Sequence, residues 1–81
     1  MGFKELETVV LTRDLPELGL RAGDLGAVVH VTPPDALDVE FVRASGQTQA
    51  LVTLPEEAVR PVQDDDLIAV RRVPPTTRGT A

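Results

Sequence analysis

From Leu15 to Val31 the chain passes through Pro16, Gly19, Gly23 and Gly26 and then directly into Ala27-Val28-Val29-His30-Val31. No regular helix survives that density of proline and glycine. The β-branched run that follows at once reads as a strand. A long turn-rich segment, a bend that Gly23 and Gly26 accept through positive φ, and then a strand is how a small β-barrel opens. Leu15, Leu18, Leu20 and Leu25 would fold the segment back over the open end of such a barrel.

The remaining strands follow in order. Thr8–Thr12 is rich in β-branched residues and supplies the first, and Ala27–Val31 is the second. Pro33 and Pro34 end it, because proline has no ladder donor. From Ala36 to Val42, Leu37, Val39 and Phe41 alternate with Asp38 and Glu40, giving one dry face and one wet face. Ala44-Ser45-Gly46-Gln47 is a hairpin turn with Gly46 free to take positive φ, and Thr48–Leu54 is the fourth strand. Leu54–Ala58 predicts one short 3-10 turn, with Pro55 at its start and Thr53 and Glu56 spaced for a capping box. Val59–Val62 is a short fifth strand that Pro61 keeps at an edge. Leu67–Val73 predicts an added edge strand or a short helix, and Pro74–Ala81 a flexible tail. The expected fold is all-β: residues 1–73 form one small five-stranded barrel with one 3-10 turn and a C-terminal edge segment, and 74–81 form the tail.

Composition narrows the chemistry. A chain of 81 residues buries only about 60% of its unfolded surface, so its core is small. With no Cys there is no disulfide, thiolate nucleophile or Cys-based zinc site. With no Trp or Tyr there is no aromatic groove for a polyproline peptide. Thirteen acidic residues against eight basic ones give a net charge of −5, which disfavours nucleic acid and anionic lipid and suits a basic partner. Glu5, Glu7, Arg13 and Asp14 interrupt the first twenty residues, so no signal peptide is expected. Apolar runs fall far short of the ~20 residues that span a bilayer. The expectation is a cytoplasmic protein that engages no membrane.

Most residues with chemical potential have a plain explanation. Gly23 and Gly26 lack the following Lys-Ser/Thr of a phosphate-binding loop, and Asp24 would repel phosphate. His30 is the single histidine and is expected to face solvent. Asp64-Asp65-Asp66 lacks the glycine and distal Glu of a calcium loop and reads as a solvated charge block. Asp38 and Glu40 belong to a solvated strand face. Arg13, Arg21, Arg43, Arg60, Arg71 and Arg72 are expected to pair with the acidic excess, with Arg43 and Arg60 placed to cluster. No catalytic, cofactor-binding or metal-binding residue is expected, and the protein is read as no enzyme. The remaining candidate surface is apolar and protein-binding: Leu18, Leu20 and Leu25 in the long loop, and Leu67, Ile68 and Val70 in the C-terminal segment. Either set could form a contact patch or a dimer edge, with a homodimer through the C-terminal segment as one arrangement, or both could simply cover the barrel ends.

The order of long loop, two hairpins, 3-10 turn and last strand resembles an SH3-like barrel. The spacing Gly23-x-x-Gly26-x-Val28-x-x-Val31 resembles the glycine-and-valine core of KOW-type barrels in ribosomal and transcription proteins. Thr12-Arg13-Asp14-Leu15-Pro16 through Val31 is similar to the SH3-like domain of the nitrile hydratase β-subunit. A broader likeness covers about Phe3 to Val73: Glu7-Thr8-Val9-Val10-Leu11, Asp14-Leu15-Pro16, Gly19-Leu20, Gly23-Asp24-Leu25-Gly26, Val39-Glu40-Phe41, Val52-Thr53-Leu54 and a Val-Arg pair near the end. Together these resemble the small bacterial family DUF4926, which carries no established activity. A small, acidic, cysteine-free chain without a catalytic constellation is expected to be a non-catalytic protein-interaction module, and the resemblance implies an antitoxin or immunity role for it. The KOW-like stretch implies RNA or ribosome association as the alternative, and the hydratase-like stretch an accessory chaperone or subunit of such an enzyme.

Overall fold

The computed structural model describes residues 2–73. Five strands are present: β1 (Thr8–Leu11), β2 (Leu25–Thr32), β3 (Ala36–Val42), β4 (Thr48–Pro55) and β5 (Val59–Pro61). Two 3-10 turns, Pro16–Leu18 and Glu56–Ala58, are the only helical elements among the described residues. All neighbouring strands are antiparallel, in the order β4-β3-β2-β1-β5. The all-β expectation and the strand positions hold. None of the helical elements is long and apolar enough to cross a membrane.

The sheet is not closed into a barrel, which corrects the expected closure. Among the described residues β4 pairs only with β3 and β5 only with β1. The 3-10 turn Glu56–Ala58 turns the chain off β4 before β5 begins, and β5 is three residues long. Irregular register between Val28 and His30 and between Phe41 and Val42 bends the sheet instead. The concave face then closes on side chains rather than on a last ladder.

That concave face holds the core. Val9 and Leu11 of β1, Val28 of β2, Leu37, Val39 and Phe41 of β3, and Leu54 of β4 are buried there together with Phe3, Leu20 and Ala58. Burying one such aliphatic side chain contributes about 1.5–3 kcal/mol. On the opposite face of β3, Asp38 accepts a hydrogen bond from the Thr53 hydroxyl at 2.6 Å, and Glu40 accepts one from the Thr48 hydroxyl at 2.6 Å. The alternation of β3 thus carries cross-strand polar pairs on its wet side. Gly46 adopts φ +94° in the expected hairpin turn.

Four local expectations are corrected. Gly23 takes φ +99°, but Gly26 does not need positive φ. A Cβ at Gly26 would lie 2.7 Å from Val39 Cγ1 and 2.8 Å from Phe41 Cε2, so steric crowding explains that glycine. The capping box does not form: the Thr53 hydroxyl is engaged by Asp38, and the Glu56 N–H donates to the Asp35 carbonyl at 2.9 Å. The long loop contains a 3-10 turn that its composition hid, held where the Gln49 amide donates to the Leu18 carbonyl at 3.0 Å. Leu67–Val73 is neither strand nor helix. The tail expected from residue 74 lies outside the described residues.

Candidate functional site

β1 is buried on both faces. Val9 and Leu11 point into the core, whereas Val10, only 5% exposed, stands apart from it on the convex face. Its cross-strand partners there are Leu25 on β2 and Arg60 on β5. This apolar row with an arginine at one end is the floor of the candidate site.

The chain after β5 is turned back over this floor by one aspartate. Arg60 Nη1 and Nη2 donate to Asp66 Oδ2 and Oδ1 at 2.9 and 2.7 Å. The Gln63 N–H also donates to Asp66 Oδ2 at 2.6 Å, and the Asp66 N–H to the Gln63 carbonyl at 3.0 Å. The Arg60 fork, helped by the Gln63 N–H, holds the Asp66 carboxyl well below the usual range, at about 2. Two oxygens matched to two parallel donors fix orientation as well as charge. The turn at Gln63–Asp66 therefore starts an irregular strap, residues 67–73, in place of the expected edge strand or helix.

A second fork ties the far end. Arg71 Nε donates to Asp24 Oδ1 at 2.9 Å, Nη2 donates to Asp24 Oδ2, and Nη2 also reaches the Gly19 carbonyl at 3.0 Å. Burial pushes the Asp24 carboxyl up, but the Arg71 hydrogen bonds, the Arg21 N–H and the two arginine charges outweigh it and hold it below the ordinary value. Val73 packs beyond it, with its Cγ1 3.1 Å from where a Cβ on Gly19 would sit.

Between strap and sheet lies a groove of about 800 Å³, bordered by Val10, Leu25, Val42, Arg43 and the strap itself. Leu67, Ile68 and Val70 are 90%, 62% and 98% exposed, so they add little packing to the floor. Of the residues expected to bind protein, Leu20, Leu25, Leu67, Ile68 and Val70 border this one groove, and Leu18 does not. Leu20 is 3% exposed and belongs to the core, and Leu18 packs half-buried against the core, so neither offers a contact surface. Of the expected residues, Leu25, Leu67, Ile68 and Val70 are the exposed ones at the groove.

The arginines sort themselves. Arg43 and Arg60 both border the groove, each engaged with a different side chain. Arg60 and Arg71 are each neutralised by an aspartate, and Arg43 Nε donates to Gln49 Oε1 at 2.7 Å. Sequence reasoning missed Val10, Asp24 and Asp66 as parts of one site. The three-aspartate run hid Asp66, the member that has a side-chain partner among the described residues. His30 is exposed, with Nδ1 3.8 Å from Glu5 Oε2. Among the described residues no group of three or more metal-ligating side chains comes together.

No curated protein and no solved structure matches the chain. The model of one family does match, over residues 5–61, a span that takes in the whole sheet and both Gly19 and Asp24 but stops short of the strap. On that match the chain belongs to the domain-of-unknown-function family DUF4926.

Proposed function

We propose that this domain is a non-catalytic protein-binding module whose contact face is the strap and the groove beneath it. One observation carries the reading: Leu67, Ile68 and Val70 are held out to solvent on a segment tied at both ends by arginine–aspartate forks. Scattered exposed leucines need no explanation, but three apolar side chains within four positions, on a segment pinned through the side chains of Asp66 and Arg71, support a contact site. An acidic chain of net charge −5 favours a basic protein as partner. The antitoxin or immunity role implied by the family, and a cytoplasmic setting, fit this reading. The RNA alternative draws on arginines whose charge is spent, in Arg60 and Arg71, on internal aspartates. The test is co-purification of the tagged chain from its native host, beside Leu67→Ser/Ile68→Ser/Val70→Ser. The expected result is a partner near equimolar with the native chain and lost with the variant, whose circular dichroism is unchanged. No such partner, or equal recovery with both, refutes the proposal.

A further inference from the structure

We propose that Asp24 and the Gly19 carbonyl form a receptor for one arginine of an extended basic segment in the partner, and that Arg71 fills it in cis until the partner arrives. The inference rests on the protein-binding reading and names the partner's chemistry. Asp24 offers two carboxylate oxygens in a fork, and Gly19 adds a third acceptor. A planar guanidinium matches that set with a parallel pair of donors, whereas an ammonium meets it as a point charge without the fork.

The receptor is built without help from the strap. The Arg21 N–H donates to Asp24 Oδ2 at 2.8 Å, and the Asp24 N–H donates to the Arg21 carbonyl at 3.0 Å. The Asp24 carbonyl accepts from the Leu11 N–H at 2.8 Å, which anchors the loop to β1. Gly19 is fixed by its N–H donating to the Pro16 carbonyl at 3.1 Å, closing the 3-10 turn. Carboxylate and carbonyl therefore keep their places when Arg71 leaves.

The present occupant is lightly attached. Among the described residues no backbone-to-backbone hydrogen bond joins positions 67–73 to the rest of the chain. Leu67, Ile68 and Val70 give up little burial when the strap lifts. Exchanging one arginine for another leaves the local charge unchanged, and the net charge of −5 favours a basic incoming segment. The receptor lies within the family-matched residues 5–61, whereas Arg71 lies outside them.

The test uses the full chain carrying Arg71→Ala and a synthetic peptide with the sequence of residues 66–73, followed by amide chemical shifts. The variant is expected to bind the peptide with shifts centred on Gly19 and Asp24. The native chain is expected to bind at least about tenfold more weakly, because its receptor is mostly occupied. A peptide with both arginines replaced by alanine, or Asp24→Asn added to the chain, is expected to weaken binding about tenfold or more. Equal binding of the two peptides, or no binding, overturns the proposal. Loss of fold in Arg71→Ala and also in Arg71→Gln overturns it too, since Arg71 would then be structural. Dimerisation of the native chain abolished by Asp24→Asn assigns the receptor to a second copy and overturns a foreign partner. A native partner that depends on Leu67, Ile68 and Val70 while the peptide fails leaves the protein-binding reading standing. Peptide binding with no native partner does the reverse.

Discussion

Gly26→Ala tests whether crowding, rather than backbone conformation, reserves that position. Gly26 lies on β2 with β1 on one side and β3 on the other, so neither flank moves alone. The new Cβ would meet Val39 Cγ1 at 2.7 Å and Phe41 Cε2 and Cδ2 at 2.8 and 3.0 Å. Carbon atoms in contact sit about 3.5–4.0 Å apart. Val39 is wholly buried and Phe41 nearly so, leaving no solvent gap into which either can retreat. Overpacking of this kind costs about 1–3 kcal/mol. Replacing glycine returns roughly 0.4–1 kcal/mol through the unfolded chain. The net expected loss is about 1–2 kcal/mol out of a total of about 4–12 kcal/mol for a chain of this length. Urea unfolding followed by far-ultraviolet circular dichroism suits a protein without Trp or Tyr; the midpoint should fall with the slope unchanged. Val39→Ala supplies the decisive control, because it removes the nearest obstructing atom. Alone it costs about 2 kcal/mol for two buried methyl groups and the space they leave. Combined with Gly26→Ala, the new methyl refills part of that space, so the pair should cost at least about 1 kcal/mol less than the sum. A Gly26→Ala midpoint equal to the native one, or strict additivity in the double variant, refutes the steric account.

Leu6 adopts φ +73° while 83% exposed, so it carries left-handed strain with almost no burial in return. Leu6→Gly is expected to stabilise the fold by about 0.5–1 kcal/mol in urea, whereas Leu6→Ala, which keeps a Cβ, is not. Asp24 and Asp66 both titrate below their ordinary value of 3.8. Their contribution to stability is therefore complete above that value and is lost as pH falls through the folded one, about 2 for Asp66. Carboxyl shifts followed by NMR should show this, with Arg60→Gln moving the Asp66 midpoint upward; an unmoved midpoint contradicts the fork as its cause. Mixed RNA is expected to show no salt-sensitive association, and micromolar binding with a log–log slope of about −0.7 per phosphate would overturn that.

What was legible in the sequence was local. The alternation of Leu37, Val39 and Phe41 with Asp38 and Glu40 needs only the two-residue period of a strand, and β3 follows it. Gly46 announced its turn because positive φ is a property of one residue. Gly26 shows the limit: the sequence displays a glycine without displaying Val39 and Phe41 opposite it. The strap failed for the same reason. Leu67–Val73 has the composition of a strand, but Arg60 seizes Asp66 and turns the chain away before any edge pairing begins. Asp24 and Arg71 are separated by 47 positions, and no periodicity connects them. Closure failed because nothing in Pro55–Pro61 states whether a ladder or a corner follows.

The strap's weak attachment has a thermodynamic corollary. Ordering a residue costs roughly 1–2 kcal/mol of backbone entropy. In the strands that cost is offset by ladder hydrogen bonds and by burial on the concave face. The strap has little of either: among the described residues its backbone makes no ladder, and Leu67, Ile68 and Val70 remain mostly in water, while only Arg71 and Val73 are half-buried. Two part-buried arginine–aspartate forks, the Gly19 carbonyl's bond to Arg71 and the Val73 side chain beside Gly19 stand against the whole segment. Opening at 67–73 must therefore lie far below global unfolding in free energy, as displaceable elements over binding sites do. Amide hydrogen exchange reads this directly. Amides of residues 67–73 should exchange with almost no protection while those of Val28 and Val39 exchange only on global unfolding. Arg71→Ala should leave the pattern of Val28 and Val39 in place. Strand-like protection along the strap would mean that it is part of the fold's cooperative unit, and a segment bound that firmly could not yield its place to a partner.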